Sequence, residues 1–268
     1  MRNRHVLAVA LALAAGLGPA SCGPEGSEPA VVSLAVVAAP DGLATCTNDL
    51  GWQVVLDGAR VAIADLEFTI EGEVHAARAA PAVLRGARRL AGLLVPAAHA
   101  HPGHQAGGEV TGTLDGDFLA DLIAGGDLGV ATLLEGDYHG VNLAFRRAGA
   151  ADGLAEDDPL AGHTAVLSGT ATKGDETVTF QAVLDVADGL RMVGGPFDLP
   201  VRPDTAATLR LTLFTIDPSE DDTLFDGLDF DALDDDADGI VAILPGQAAH
   251  NVLAKTLVRH DHWGVVVR

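Results

Sequence analysis

The residues best equipped for chemistry are histidines, and three fall within six positions: His99, His101 and His104 in AHAHPGHQAGGE, residues 98–109. Neutral imidazole is the commonest metal ligand and titrates near neutral pH. In an extended segment residues i and i+2 point to one side, ~6.5–7 Å apart. His99 and His101 can therefore converge on one ion at Zn–N distances of ~2.0–2.1 Å, and Pro102-Gly103 can fold His104 back toward them. The spacing predicts a transition-metal site for copper or zinc; a His-rich surface loop without a fixed ion is the alternative. A second H-x-H, His260-Asp261-His262, precedes Trp263, and in an extended chain Asp261 points away from both imidazoles. His139, in GDYHGVNLAF (136–145), is in phase with Val141, Leu143 and Phe145. It is expected to face inward at the start of a strand, as a further ligand or as a core-edge histidine bonded to backbone. His75, His163 and His250 stand alone, and structural roles are expected for them.

Carboxylates offer a second chemistry. Asp234-Asp235-Asp236-Ala237-Asp238-Gly239-Ile240-Val241 matches the opening of a calcium loop. Asp234, Asp236 and Asp238 would take positions 1, 3 and 5, Gly239 the turn and Ile240 the carbonyl position. Pro245 stands where an EF-hand has its bidentate Glu, which excludes a complete EF-hand. A weak calcium loop completed by Asp229, Asp231 or water remains, beside the alternative of a solvated acidic turn. G-x-S-x-G, H-E-x-x-H and phosphate-loop motifs are all missing, so no enzyme is expected.

The elements that must position these residues are strands. Val31–Ala38, Trp52–Asp57, Arg60–Glu71, Val110–Leu114, Asp117–Ile123, Leu128–Leu134 and Tyr138–Arg146 alternate or run apolar between Asp-Gly and Gly-rich turn signals. Thr164–Lys173 and Glu176–Val186 form a hairpin around Gly174-Asp175; Phe197–Arg202, Thr205–Ile216 and Val265–Val267 follow. A slip in the alternation near Asp65 predicts a β-bulge. Helices are expected at Pro81–Pro96 and Ala248–His260. The pattern predicts an all-β fold: an antiparallel β-sandwich, immunoglobulin- or transthyretin-like, with one or two short helices and no parallel pairing. Residues 31–268 read as one domain containing an acidic 217–238 segment.

At the start, Arg2 and Arg4 precede an apolar run from Val6 to Gly18. That run is shorter than the ~20 residues a membrane span needs and fits a signal peptide over residues 1–21. Ala20-Ser21-Cys22 resembles the bacterial lipobox, although Pro19 stands where that motif usually has Leu. The resemblance implies lipidation at Cys22, a tether over residues 22–30, and an exported protein anchored to a bacterial membrane, the outer membrane by preference. An ordinary secretory signal is the alternative. Loss of Arg2 and Arg4 moves the formal net charge from −22 to −24. Such a chain repels nucleic acid and attracts cations. Cys46 is then the one remaining thiol, so no internal disulfide is expected; a buried thiol, or a soft metal ligand, is.

The paired strands in GWQVVLDGARVAIADLEFTI, the His-bearing G-x-Y-H-x-x-x-L strand and the C-terminal H-x-H together resemble the methanobactin-partner-like (MbnP-like) exported proteins of bacteria. The likeness covers residues 50–186 loosely, and the last dozen. It implies a β-sandwich of copper-related function, often lipid-anchored, with another exported protein as partner. A metal role would fall first to His139, His260 and His262. The expectation is a metal-binding lipoprotein for buffering, delivery or sensing. A calcium-stabilised surface module is the alternative.

Overall fold

Eighteen consecutive residues, Gln53–Ile70, form the longest strand, and four other strands pair with it. The computed structural model describes residues 29–70 and 108–268. In chain order its strands are β1 (Val31–Ala38), β2 (Cys46–Thr47), β3 (Gln53–Ile70), β4 (Glu109–Asp121), β5 (Gly126–Leu134) and β6 (Gly136–Phe145). They continue with β7 (Ala165–Lys173), β8 (Glu176–Leu184), β9 (Arg191–Val201), β10 (Thr208–Leu213), β11 (Ile240–Ile243) and β12 (Trp263–Val267). Two helices, α1 (Phe230–Leu233) and α2 (Ala248–Leu257), lie in the C-terminal quarter. The predicted helix at 81–96, the loop with His99, His101 and His104, His75 and Cys22 lie outside the described residues.

The strands join in one mixed sheet in the order β11-β8-β7-β3-β4-β5-β1-β10-β12, with β2 and β6 also on β3 and β9 on β6. The sheet is mostly antiparallel, but the expected absence of parallel pairs is corrected. β1 runs parallel to β10, and β8 parallel to β11. Both pairs are joined by long connections carrying other elements, which a parallel pair requires. The turn signals also misled at two places. Trp52–Asp57 and Arg60–Glu71 are one strand, β3, with Asp57-Gly58 absorbed as a register shift against β7. Val110–Leu114 and Asp117–Ile123 are likewise one strand, β4. There Gly116 takes φ 134 and its N–H donates to Asp65 Oδ1 (3.1 Å). Asp65 itself sits at φ 47 in the bulge foreseen at that residue, between Ala64 and Leu66. The two irregularities face each other across the ladder, so pairing continues through both.

One large core runs from β1 to β12 and includes Ala249, Leu253 and Leu257 of α2. Phe68 of β3 packs edge-on against Phe197 of β9, and Phe145 of β6 against Trp263 of β12 (centroids 5.4 and 5.8 Å). The second contact sets β12 against β6, from which it is remote in the strand order, and Gly195 and Pro196 of β9 lie close to Trp263 and Gly264 of β12. A Cβ at Gly264 would lie 2.9 Å from Pro196 O, closer than side chains tolerate. Trp263 is fully buried and its indole N–H donates to Leu257 O (2.7 Å), tying the end of α2 to β12. A smaller apolar cluster, including Ala62, Leu160 and Val183, lies beneath the loop after β6. That loop is pinned by two forked ion pairs, Arg146–Asp152 and Arg60–Asp158.

Candidate metal centre

The C-terminal H-x-H is not extended. His260–His262 is a single 3₁₀ turn between α2 and β12. Its two histidines therefore lack the same-side geometry of a strand, and Asp261, expected to point away from them, is buried together with His262. The cause is the ladder that follows. β12 pairs with β10 up to Leu213↔Trp263, and the pairing extends one step further. Phe214 N–H donates to His262 O (2.7 Å), and Phe214 O accepts from His262 Nδ1 (2.8 Å). Beyond Phe214 the chain reverses in a tight hairpin. Ile216 bridges Thr223, Asp217 N–H donates to Asp222 O (2.8 Å), and Asp221 adopts φ 63. The hairpin and the turn thus meet at one end of the β10–β12 ladder.

Four acids gather there around one arginine. Arg259 Nη1 donates to Asp222 Oδ2 (2.5 Å) and Nη2 to Asp261 Oδ2 (2.8 Å). Asp217 Oδ2 and Glu220 Oε2 each lie 4.0 Å from Nη2. Asp217 Oδ1 accepts from Ser219 N–H (2.6 Å). Asp217 is fully buried and the Asp261 side chain is 8 % exposed. One oxygen of each of three carboxylates, Asp217 Oδ2, Asp222 Oδ1 and Asp261 Oδ1, is buried and accepts no hydrogen bond. Ligand oxygens of Asp217, Glu220 and Asp222 lie within 4.8 Å of one another. Burial, then the charges of Asp261 and Asp222, push the Asp217 carboxyl up to about 7, against the Ser219 N–H; Asp261 lies within its hydrogen-bonding reach. Burial also opposes ionisation of Asp261, but the hydrogen bond and charge of Arg259 win and hold it below the usual carboxylate range.

His262 is fully buried. A carbonyl can only accept, so Nδ1 donates; Nε2 is buried without a hydrogen-bond partner. His139 departs from expectation. A register shift between Tyr138 and Gly140 against β9 slips the alternation. Tyr138 takes the inward place, and His139, half-exposed, pairs with Asp198 Oδ1 (2.9 Å). Among the described residues, neither His139, His260 nor His262 belongs to a set of three ligand atoms within 4.8 Å. His163 and His250 each make hydrogen bonds within the protein. His163 bonds Asp185 Oδ1, and Asp185 N–H donates to His250 Nε2 (2.8 and 3.0 Å). Cys46 is a buried free thiol; burial, then the Asp226 charge, pushes it up to about 11.

The predicted aspartate loop is assembled. Asp234, Asp236 and Asp238 bring oxygens within 4.8 Å of one another. Asp234 accepts from the N–H groups of Asp238 and Gly239 (3.1 and 2.9 Å), and Asp238 Oδ1 from Ile240 N–H (2.8 Å). Ala237 (φ 56) and Gly239 (φ 79) take positive φ in this turn. Ile240 opens β11, beside Thr179 of β8. Asp229 is engaged elsewhere, accepting from the Trp52 indole N–H (3.1 Å).

The sequence reading found this loop but missed Asp217, Asp222 and Arg259. Its available signal was the density of acids after β10: eleven between Asp217 and Asp238, without a base. Comparisons with protein-family models, with curated proteins and with solved structures find no match.

Proposed function

We propose that this chain is an exported β-sheet module, tethered to a bacterial membrane through Cys22, that binds a divalent cation through oxygen ligands of its acidic C-terminal segment. The observation carrying this reading is the aspartate loop, whose backbone turns and hydrogen bonds already hold Asp234, Asp236 and Asp238 in one small ligand set. Three carboxylates and one turn suit calcium, which takes 6–8 oxygen ligands at ~2.3–2.6 Å, waters included. The loop is half to fully exposed, and extracellular sites of this kind are weak, with Kd of ~10⁻⁴–10⁻³ M. The net charge of −22 favours cations over any nucleic-acid partner. No helix among the described residues is long and apolar enough to cross a membrane, so Cys22 would supply the attachment. We further infer that the mixed sheet folds over itself as a sandwich, a reading supported by the single core shared from β1 to β12. Calcium titration of the full-length protein by calorimetry tests the function. A weak binding step lost in Asp236→Asn plus Asp238→Asn supports it; a silent double substitution refutes it.

A second reading is transition-metal binding, copper or zinc, by His99, His101 and His104 with His139, His260 and His262. One observation favours it. The His262 Nδ1–H is fixed by a backbone carbonyl while Nε2 stays buried and unbonded, the arrangement that metal-ligating histidines usually show. Stoichiometric copper or zinc, lost on His99→Ala plus His101→Ala, would support this reading.

A further inference from the structure

At the end of the β10–β12 ladder, three carboxylates from two chain segments each bond the protein through one oxygen and bury the other without a donor. Leaving such an oxygen unmet is costly, and more so when it is charged. One arginine faces four acids there, so the cluster carries three uncompensated charges when fully ionised. Buried charges are ordinarily paired or bound to metal. We infer that the 217–222 hairpin holds a divalent cation of the calcium class, ligated by Asp217, Glu220 and Asp222, with Asp261 closing the site from the facing 259–262 turn.

Ligands on opposite sides of a calcium ion at ~2.4 Å lie about 4.8 Å apart; the oxygens of Asp217, Glu220 and Asp222 fall within that span, and Asp261 lies outside that set. Arg259 bonds one oxygen each of Asp222 and Asp261 and leaves the other oxygen of each unbonded, the usual work of a residue behind a metal ligand. The ion would lock together two segments that no strand pairing joins beyond Phe214. None of these residues belongs to the aspartate loop at 234–238, and the inference does not depend on that loop. The competing arrangement is a proton shared between Asp217 and Asp261, which leaves the cluster indifferent to calcium.

The test uses the full-length protein, chelator-treated, in an Asp236→Asn plus Asp238→Asn background that disables the outer loop. Thermal unfolding is followed against added calcium chloride. At a hundredfold excess over the dissociation constant, the midpoint should rise by about 5–10 °C. Asp217→Asn and, separately, Asp222→Asn should abolish the rise. In chelator, Asp217→Asn should melt at or above its parent, because it removes a like charge. That second measurement separates a lost ligand from a damaged fold. No calcium response in the background protein, or a response that survives both substitutions, overturns the inference. A response of the outer loop alone would leave the proposed function standing while sinking this site.

Discussion

Asn48 is the residue whose removal tests how the acidic segment is held. It lies in the turn between β2 and β3 and is buried, and its amide makes four hydrogen bonds. Oδ1 accepts from Leu50 N–H (3.1 Å) and Trp52 N–H (2.9 Å). Nδ2 donates to Phe225 O (3.1 Å) and Leu228 O (2.8 Å). An asparagine amide has two donors and an oxygen with two lone pairs, so this one is fully used. Phe225 and Leu228 lie between the two acidic groups, so Asn48 fixes the chain that connects them. Asn48→Ala removes all four bonds. Leu50 N–H is within reach of water, and Phe225 O keeps a bond from Leu228 N–H (3.2 Å). Trp52 N–H and Leu228 O are then stranded, at ~1–3 kcal/mol each. The sum is about 2–6 kcal/mol, or a fall in Tm of roughly 4–24 °C for a domain of this size. Asn48→Asp sharpens the test. It keeps the acceptor for Leu50 and Trp52 but turns an oxygen toward two carbonyl oxygens. It should therefore cost at least as much as alanine. Urea unfolding monitored by tryptophan fluorescence gives both values. Losses under about 1 kcal/mol, or an aspartate variant much milder than alanine, would refute the clamp.

Three further outcomes follow from the same structure. Arg146 holds Asp152 through two hydrogen bonds (2.9 and 2.6 Å) and keeps its carboxyl below the ordinary range. Asp152→Asn should cost about 1–3 kcal/mol at pH 7. Because the folded value is depressed, the loss should shrink as pH falls below ~4, through the folded value; a gap unchanged down to pH 2 would deny the pair its role. Gly264→Ala forces a Cβ to within 2.9 Å of Pro196 O and 2.7 Å of Phe214 Cε2. It should cost about 1–3 kcal/mol and weaken any calcium response, since Phe214 sets the register of His262. The Cys46 thiol, pushed up to about 11 by burial and then by Asp226, should react with a disulfide reagent at pH 8 about a thousandfold slower in the native protein than in urea. Rapid native labelling would contradict its buried setting.

What was legible in the sequence is what depends on near neighbours in the chain. β1, the β7–β8 hairpin, α2 and the bulge at Asp65 follow from periodicity and turn residues within a dozen positions. So does the aspartate loop, because all its donors and acceptors fall within seven residues. Asp57-Gly58 and Asp115-Gly116 show where local signals lose. Each dipeptide favours a hairpin, but a continuous partner strand lies alongside, and continued pairing outweighs the turn preference. The parallel β1–β10 and β8–β11 pairs depend on connections whose path no local pattern specifies.

The histidines carry the same lesson further. H-x-H puts two imidazoles on one side only if the segment is extended, and sequence alone cannot fix that condition. Here α2 runs to Leu257, and Trp263 must drop its ring into the core and bond Leu257 O. Five residues have to bridge that short gap, and a 3₁₀ turn shortens the path where a strand would overshoot. The turn buries Asp261 together with His262, so Asp261, flanked by the more obvious ligands, meets Asp217 from forty-four positions earlier. Their meeting is set by the β10–β12 register, and a one-residue slip would separate them. The cation site proposed at the C-terminus accordingly rests on carboxylates instead of imidazoles, and the proposed ion is of the calcium class.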